Sequence, residues 1–161
     1  MRSIAALDRA LGILLTAGGA LVLPVSLLLF LQWPLREWVQ AYSREANDIA
    51  QVLFAVYVAL AVTAATRRHA HLAADALARR YPVAVRTCLV RVAALVVELP
   101  WSAFVLWSAF PIVSQSIRQQ EAFPETFNPG YFLLKAAVAV LALAVAAQAL
   151  VTAIRPSDAE D

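Results

Sequence analysis

Residues 67–80 read RRHAHLAADALARR, placing two histidines, one aspartate and four arginines in fourteen positions of a chain in which only 15% of residues are charged. Two chemistries suit such a cluster: metal ligation by His69, His71 and Asp75, or acid/base exchange between a histidine and a carboxylate. Spacing tests the first. Two positions apart on a helix, His69 and His71 point about 200° from one another and cannot share an ion. An extended strand would align them, yet a site needs third and fourth ligands and Asp75 is the one nearby acid. On a helix, Arg67, His71, Asp75 and Arg79 instead follow one another at i+4 as a single polar stripe, which favours pairing of His71 with Asp75 and of Asp75 with Arg79. Leu72, Ala73, Ala76 and Leu77 then line the other side. The expectation is an amphipathic segment resting on the membrane or on a partner, with no metal.

Other chemistry finds little footing. Both histidines lie outside the apolar runs, so haem held between histidines inside a bundle is not expected. Cys88 is the single cysteine, which rules out an intrachain disulfide or a dithiol redox pair. The chain has four glycines, Gly18 and Gly19 being adjacent within an apolar run, and no phosphate-cradling glycine loop. Those two suit close helix packing. No catalytic residue, cofactor or metal ligand is assigned, and an enzyme is not expected. Glu98 is the one acid that enters an apolar run, about 10 Å along a helix from Arg91. Three readings fit it: a proton or ion relay, a structural hydrogen bond or subunit contact, or a shifted span boundary. Lys135 is a poor partner for it, because the two should lie near opposite membrane surfaces.

These residues must be positioned by membrane-spanning helices. The 161-residue chain is 62% hydrophobic, and crossing about 30 Å of hydrocarbon takes about 20 apolar residues. Charge-free runs occur at Ala10–Leu31, Ile49–Thr66, Leu99–Ile117 and Ala136–Ile154. With their flanks they predict spans at about 10–31, 49–66, 92–117 and 133–154 in one four-span domain covering 1–161. The fold class expected is an all-α membrane protein. The first run is too long for a cleaved secretory signal core of about 7 to 15 residues. Pro24, Pro100 and Pro111 would bend their helices or be tolerated without consequence.

Orientation follows from the basic residues. Nine of the 13 lysines and arginines fall at the termini or in 67–91, against Arg36, Arg44, Arg118 and Lys135 on the other side. Positive residues stay in the cytoplasm, so both termini and the 67–91 loop are expected there. The net charge of +2 therefore points to a membrane flank and phospholipid, not to nucleic acid. In the opposite first loop, Trp33, Trp38 and Tyr42 are expected to anchor at the headgroups. Pro34–Tyr42 fits a short interfacial helix with Leu35, Trp38, Val39 and Tyr42 on one face.

The run YSREANDIAQVLFAVYVALAVTAATRRHAHLAADAL resembles the small membrane subunit, the DctQ-like or Q-type subunit, of tripartite ATP-independent periplasmic (TRAP) transporters. In that family an acidic residue before the second span is followed, about 23 residues later and shortly after an arginine, by His-x-x-x-Asp. Asp48, Arg67, His71 and Asp75 occupy those positions here, while Asn47–Asp48 replaces a common glutamate pair and Ala61 a frequent glycine. The resemblance implies a small permease subunit in the bacterial inner membrane, within a sodium-coupled secondary transporter for organic acids. Its partners would be a large M-type permease subunit, which it braces, and a periplasmic substrate-binding protein. Asp48, Arg67, His71, Asp75, Arg79 and Glu98 become the expected structural and partner-interface residues. The alternative is an autonomous proton-coupled carrier working as a homodimer around Glu98. In the outer third loop, Glu121 and Glu125 would contact the binding protein or simply be solvated.

Overall fold

In hydrocarbon every backbone N–H and C=O must find a partner within the chain, and a helix satisfies them locally. The structure, a computed structural model, describes residues 2–38, 43–67 and 81–154. It consists of helices α1 (Arg2–Ala20), α2 (Val22–Trp38), α3 (Arg44–Arg67), α4 (Val83–Ala93), a π-helical turn (Ala94–Glu98), α5 (Leu99–Arg118) and α6 (Tyr131–Ile154). These form four segments long and apolar enough to cross a membrane: Ile4–Trp38, Arg44–Arg67, Val83–Arg118 and Tyr131–Ile154. The all-α, four-span architecture is therefore the one expected. Each helix extends past its charge-free run. Ser43 starts α3, its hydroxyl accepting from the Ala46 N–H at 3.1 Å as an N-cap.

Prolines mark two of the departures from regular helix. Pro24 offers no N–H to the Ala20 carbonyl, and between α1 and α2 the Leu21 N–H turns instead to the Gly18 carbonyl at 3.1 Å, a tighter bond three residues back. Just ahead of Pro100 lies the π turn, in which the Leu99 N–H reaches the Ala94 carbonyl. In an unbroken α-helix the Pro100 ring would press on the carbonyl of residue 96, and the wider turn relieves that. The Ser102 hydroxyl then donates to the Glu98 carbonyl at 2.5 Å. Pro34 and Pro111, by contrast, sit inside α2 and α5 without interrupting them. Residues 34–38 of the expected surface helix are thus helical and continuous with α2; 39–42 lie outside the described residues.

The bundle is organised around α6, which packs against α1, α3, α4, α5 and the π turn. Its buried side chains are small: Ala137, Ala142, Ala144, Val145, Gln148, Ala149 and Val151. Lipid tails are as apolar as leucine, so helices associate through close van der Waals fit and polar contacts, and alanines permit the approach. The same logic operates where α1 crosses α3. A Cβ on Gly18 would lie 2.4 Å from Leu60 Cδ1 and 2.8 Å from Leu60 Cβ, whereas one on Gly19 would meet nothing within 4 Å. Gly18→Ala should therefore lower stability by about 1–3 kcal/mol through overpacking, and Gly19→Ala should change it by less than about 0.5 kcal/mol. Denaturant unfolding of the purified chain in one detergent checks the pair; equal effects of the two substitutions would show that the Gly18–Leu60 contact does not set this crossing.

Candidate functional site

The last residue of α3 reaches two other helices. Arg67 Nη2 lies 2.8 Å from the Asp8 carboxylate on α1, and its Nη1 donates to the Asp8 carbonyl at 3.2 Å and to Gln148 Oε1 on α6 at 3.5 Å. Gln148, almost fully buried, uses its amide nitrogen to donate to Thr152 Oγ1 at 3.3 Å. The guanidinium fork suits this task, since its fixed donors engage several acceptors at once. With about a quarter of each side chain exposed, the pair sits between a surface ion pair and a buried one. Its chemistry is that of a joint, in which charge-assisted hydrogen bonds tie three helices together.

At the other end of α3, Asp48 is buried and one of its oxygens accepts from the Thr126 hydroxyl at 2.6 Å. Thr126 belongs to the α5–α6 loop, and Arg44 adds a longer bond of 3.5 Å to the Glu125 carbonyl. A negative side chain in the first turns of α3 is also favoured by the helix dipole. The loop itself is well braced. Ala122 and Pro129 form an antiparallel bridge, and the Phe123 N–H donates to the Asn128 carbonyl at 2.9 Å. The buried Phe123 ring meets Tyr131 edge to face at 5.7 Å. Gly130 takes φ +148°, a conformation for which glycine is suited. Glu121 ties the loop to α6 through Lys135 at 2.5 Å and accepts a hydrogen bond from Ser116 of α5. The outer-loop acid expected to be solvated or free for the binding protein is instead an internal strut.

Of the residues singled out by sequence, Asp48 and Arg67 thus hold opposite ends of one helix. Glu98 closes the π turn, half-buried with one carboxylate oxygen shielded. Lys135 pairs with Glu121. Trp33 and Trp38 are exposed near the end of α2, their rings 6.3 Å apart. Tyr42, His71, Asp75 and Arg79 lie outside the described residues. Among the described residues no three of His, Cys, Asp and Glu gather as metal ligands. Sequence reading missed Asp8 and Gln148. A signal existed for each: Asp8 is an acid just ahead of the first apolar run, and Gln148 is the lone amide in the fourth.

The family described as Tripartite ATP-independent periplasmic transporters, DctQ component, matches residues 25–158. The chain belongs to that family. The DctQ match takes in Asp48, Arg67, Lys135 and Gln148, while Asp8 precedes it. No curated protein matches the chain, and no solved structure does. As the small permease component of a tripartite transporter, DctQ works with a large permease subunit and a binding protein, and its four apolar helices make it a multi-pass inner-membrane protein.

Two tests follow from the geometry of this DctQ chain. Arg67→Gln should cost on the order of 2 kcal/mol, between the values for exposed and buried ion pairs, and a cycle with Asp8→Asn should show a favourable coupling. Denaturant unfolding in micelles measures both; strict additivity would mean that the Asp8–Arg67 contact carries no energy. The second concerns pH. Lys135, then Ser116, hold the Glu121 carboxyl below its ordinary 4.5. A carboxylate with a depressed folded pKa stabilises fully above the unfolded value and loses that contribution as pH falls through the lowered one. Thermal stability should therefore decline from about pH 4.5 downward, and Lys135→Met should flatten that decline. An unchanged acid profile in the variant would assign the dependence to other groups.

Proposed function

We propose that this DctQ subunit braces the large subunit of a sodium-coupled, binding-protein-dependent transporter for organic acids, without a substrate path of its own. The observation that carries the reading is the pair of polar fastenings on α3. Asp48 bonds the α5–α6 loop and Arg67 bonds α1 and α6. Nineteen residues of helix separate the two, about 29 Å, which is close to the thickness of the hydrocarbon core. The bundle is thereby fixed at both membrane faces, as a rigid brace requires. Between them, α3 supplies Thr63, whose hydroxyl donates to the Ala59 carbonyl of its own helix, so that polar group is consumed internally.

In this reading both termini and the 67–91 loop face the cytoplasm, in keeping with the excess of arginine there. The Asp48–Thr126 and Glu121–Lys135 contacts then stand on the periplasmic side. Arg67 leads directly into His71, Asp75 and Arg79, the amphipathic segment proposed to meet the large subunit or the phospholipid surface. The anchors Trp33, Trp38 and Tyr42 would fix the depth of the brace. DctQ membership does not favour the alternative of an autonomous carrier around Glu98.

A tagged chain isolated gently from native membranes should bring down a large, many-span permease in fixed ratio. His71→Ala or Asp75→Ala should reduce that recovery, or organic-acid uptake, without releasing any metal. Uptake of an organic acid by the purified chain alone in liposomes, abolished by Glu98→Gln, would overturn the brace in favour of the carrier.

A further inference from the structure

The α5–α6 loop holds a phenyl ring that its own fold does not use. The backbone of Phe127 takes φ +58°, the left-handed region in which Cβ crowds the following carbonyl and which bulky side chains avoid. Among the described residues one other non-glycine, Gln120, has a positive φ in this region. Gln120 stands just past the C-cap of α5, where a left-handed residue is ordinary. At Phe127 the conformation closes a turn: its N–H donates to the Phe123 carbonyl and the Phe123 N–H to the Asn128 carbonyl, both at 2.9 Å. Glycine or asparagine would close that turn with less strain. The ring is 82% exposed, so packing within the chain does not account for a phenylalanine here.

Depth identifies what surrounds it. The loop is tied down at two points, and both mark the same level. Thr126 donates to Asp48 at 2.6 Å, and Asp48 directly precedes the charge-free run Ile49–Thr66. Glu121 pairs with Lys135 at 2.5 Å, and Lys135 directly precedes the charge-free run Ala136–Ile154. Each tie therefore lies at the edge of the hydrocarbon. Phe127 is one residue, about 3.8 Å of chain, from the first of them. The headgroup layer beyond that edge is about 5–7 Å thick, so an exposed ring on this loop stands within it, and a soluble partner would have to displace headgroups to reach it. Trp33, two positions past the run Ala10–Leu31, is exposed at the same membrane face, because α2 leads into the start of α3. Aromatic rings favour this boundary between headgroups and acyl chains.

We infer that Phe127 is a lipid anchor, whose ring enters the phospholipid leaflet where headgroup meets acyl chain and holds the α5–α6 loop to the membrane surface. The bracing of the loop makes the anchor effective. Thr126 is bonded to Asp48 on one side of Phe127, and on the other the Asn128 N–H donates to Thr126 Oγ1 at 3.3 Å. A ring presented from so fixed a backbone loses little freedom on entering the leaflet. Trp33 and Trp38 sit on the first span, whereas Phe127 sits between the third and fourth. Anchors at two separate places on one membrane face constrain the tilt of the bundle, which a single anchor leaves free. This role is independent of which partner the bundle braces.

Two probes at position 127 test it. In the full chain carrying Cys88→Ser, Phe127→Cys is labelled with bimane in vesicles of phosphatidylethanolamine and phosphatidylglycerol. Glu125→Cys, at a position that is also exposed, is the comparison. Lipids with a nitroxide near the top of the acyl chain should quench the label at 127 about twofold more than the label at 125, and more than lipids with the nitroxide near the chain end. Aqueous iodide should quench 125 the more strongly. Equal iodide quenching at the two positions would overturn the anchor. In native membranes, a photoreactive benzophenone amino acid replacing Phe127 keeps an aromatic side chain there, and irradiation should join it mainly to phospholipid. A protein adduct as the main product, with a secreted binding protein or with a membrane subunit, would overturn the anchor and leave the bracing role standing.

Discussion

The architecture depends on the reach of one guanidinium. Within a bilayer the hydrophobic effect does little to draw helices together, because leaving lipid for another helix changes the surroundings of an apolar side chain very little. Directional contacts and close fit must do the rest. Arg67 ends α3 and bonds to Asp8 on α1 and Gln148 on α6, so three of the four spans meet at one side chain. Its length matters as much as its charge. A lysine ammonium at the same place is a compact point charge without the planar fork, and could not address a carboxylate, a backbone carbonyl and an amide in the same way.

The opposite end works differently. There the spans are joined through a loop whose own bracing comes from an aromatic contact, a short backbone bridge and the Glu121 strut. Asp48 grips that loop and not another helix. One end of the bundle is thus fastened helix to helix and the other helix to loop, with α6 serving both because it carries Gln148 near one end and Lys135 near the other. Between the two ends close fit carries much of the packing among the described helices. That explains the alanines of α6 and the tolerance limit at Gly18, where Leu60 fills the space a side chain would need.

Much of this was legible in the sequence, for reasons that differ by residue. The spans were readable because hydrocarbon excludes charge over a fixed thickness, and the charge-free runs record it. Pro24 and Pro100 announced departures from regular helix, though composition does not say that one would yield a tightened turn and the other a widened one. Asp48 and Arg67 stood out by family resemblance. What their side chains bond could not be read, because Asp8, Thr126 and Gln148 lie far away in the chain and are brought near only by packing. Glu121 illustrates the same limit: an acid in a polar loop has the look of a solvated residue, and only the return of α6 places Lys135 beside it. The sequence pairing of His71 with Asp75 concerns residues outside those described.

The make-up of the Arg67 cluster also has a bearing on how the chain is built. Its three members come from residues 59 and 81 positions apart, so a nascent chain supplies Asp8 first, Arg67 next and Gln148 last. Until the fourth span is present, the guanidinium lacks its α6 acceptor. Insertion of α6 closes that account with an amide and a wall of alanines in a single step. The cluster is thus complete only when residues from the first, second and fourth spans are all in place.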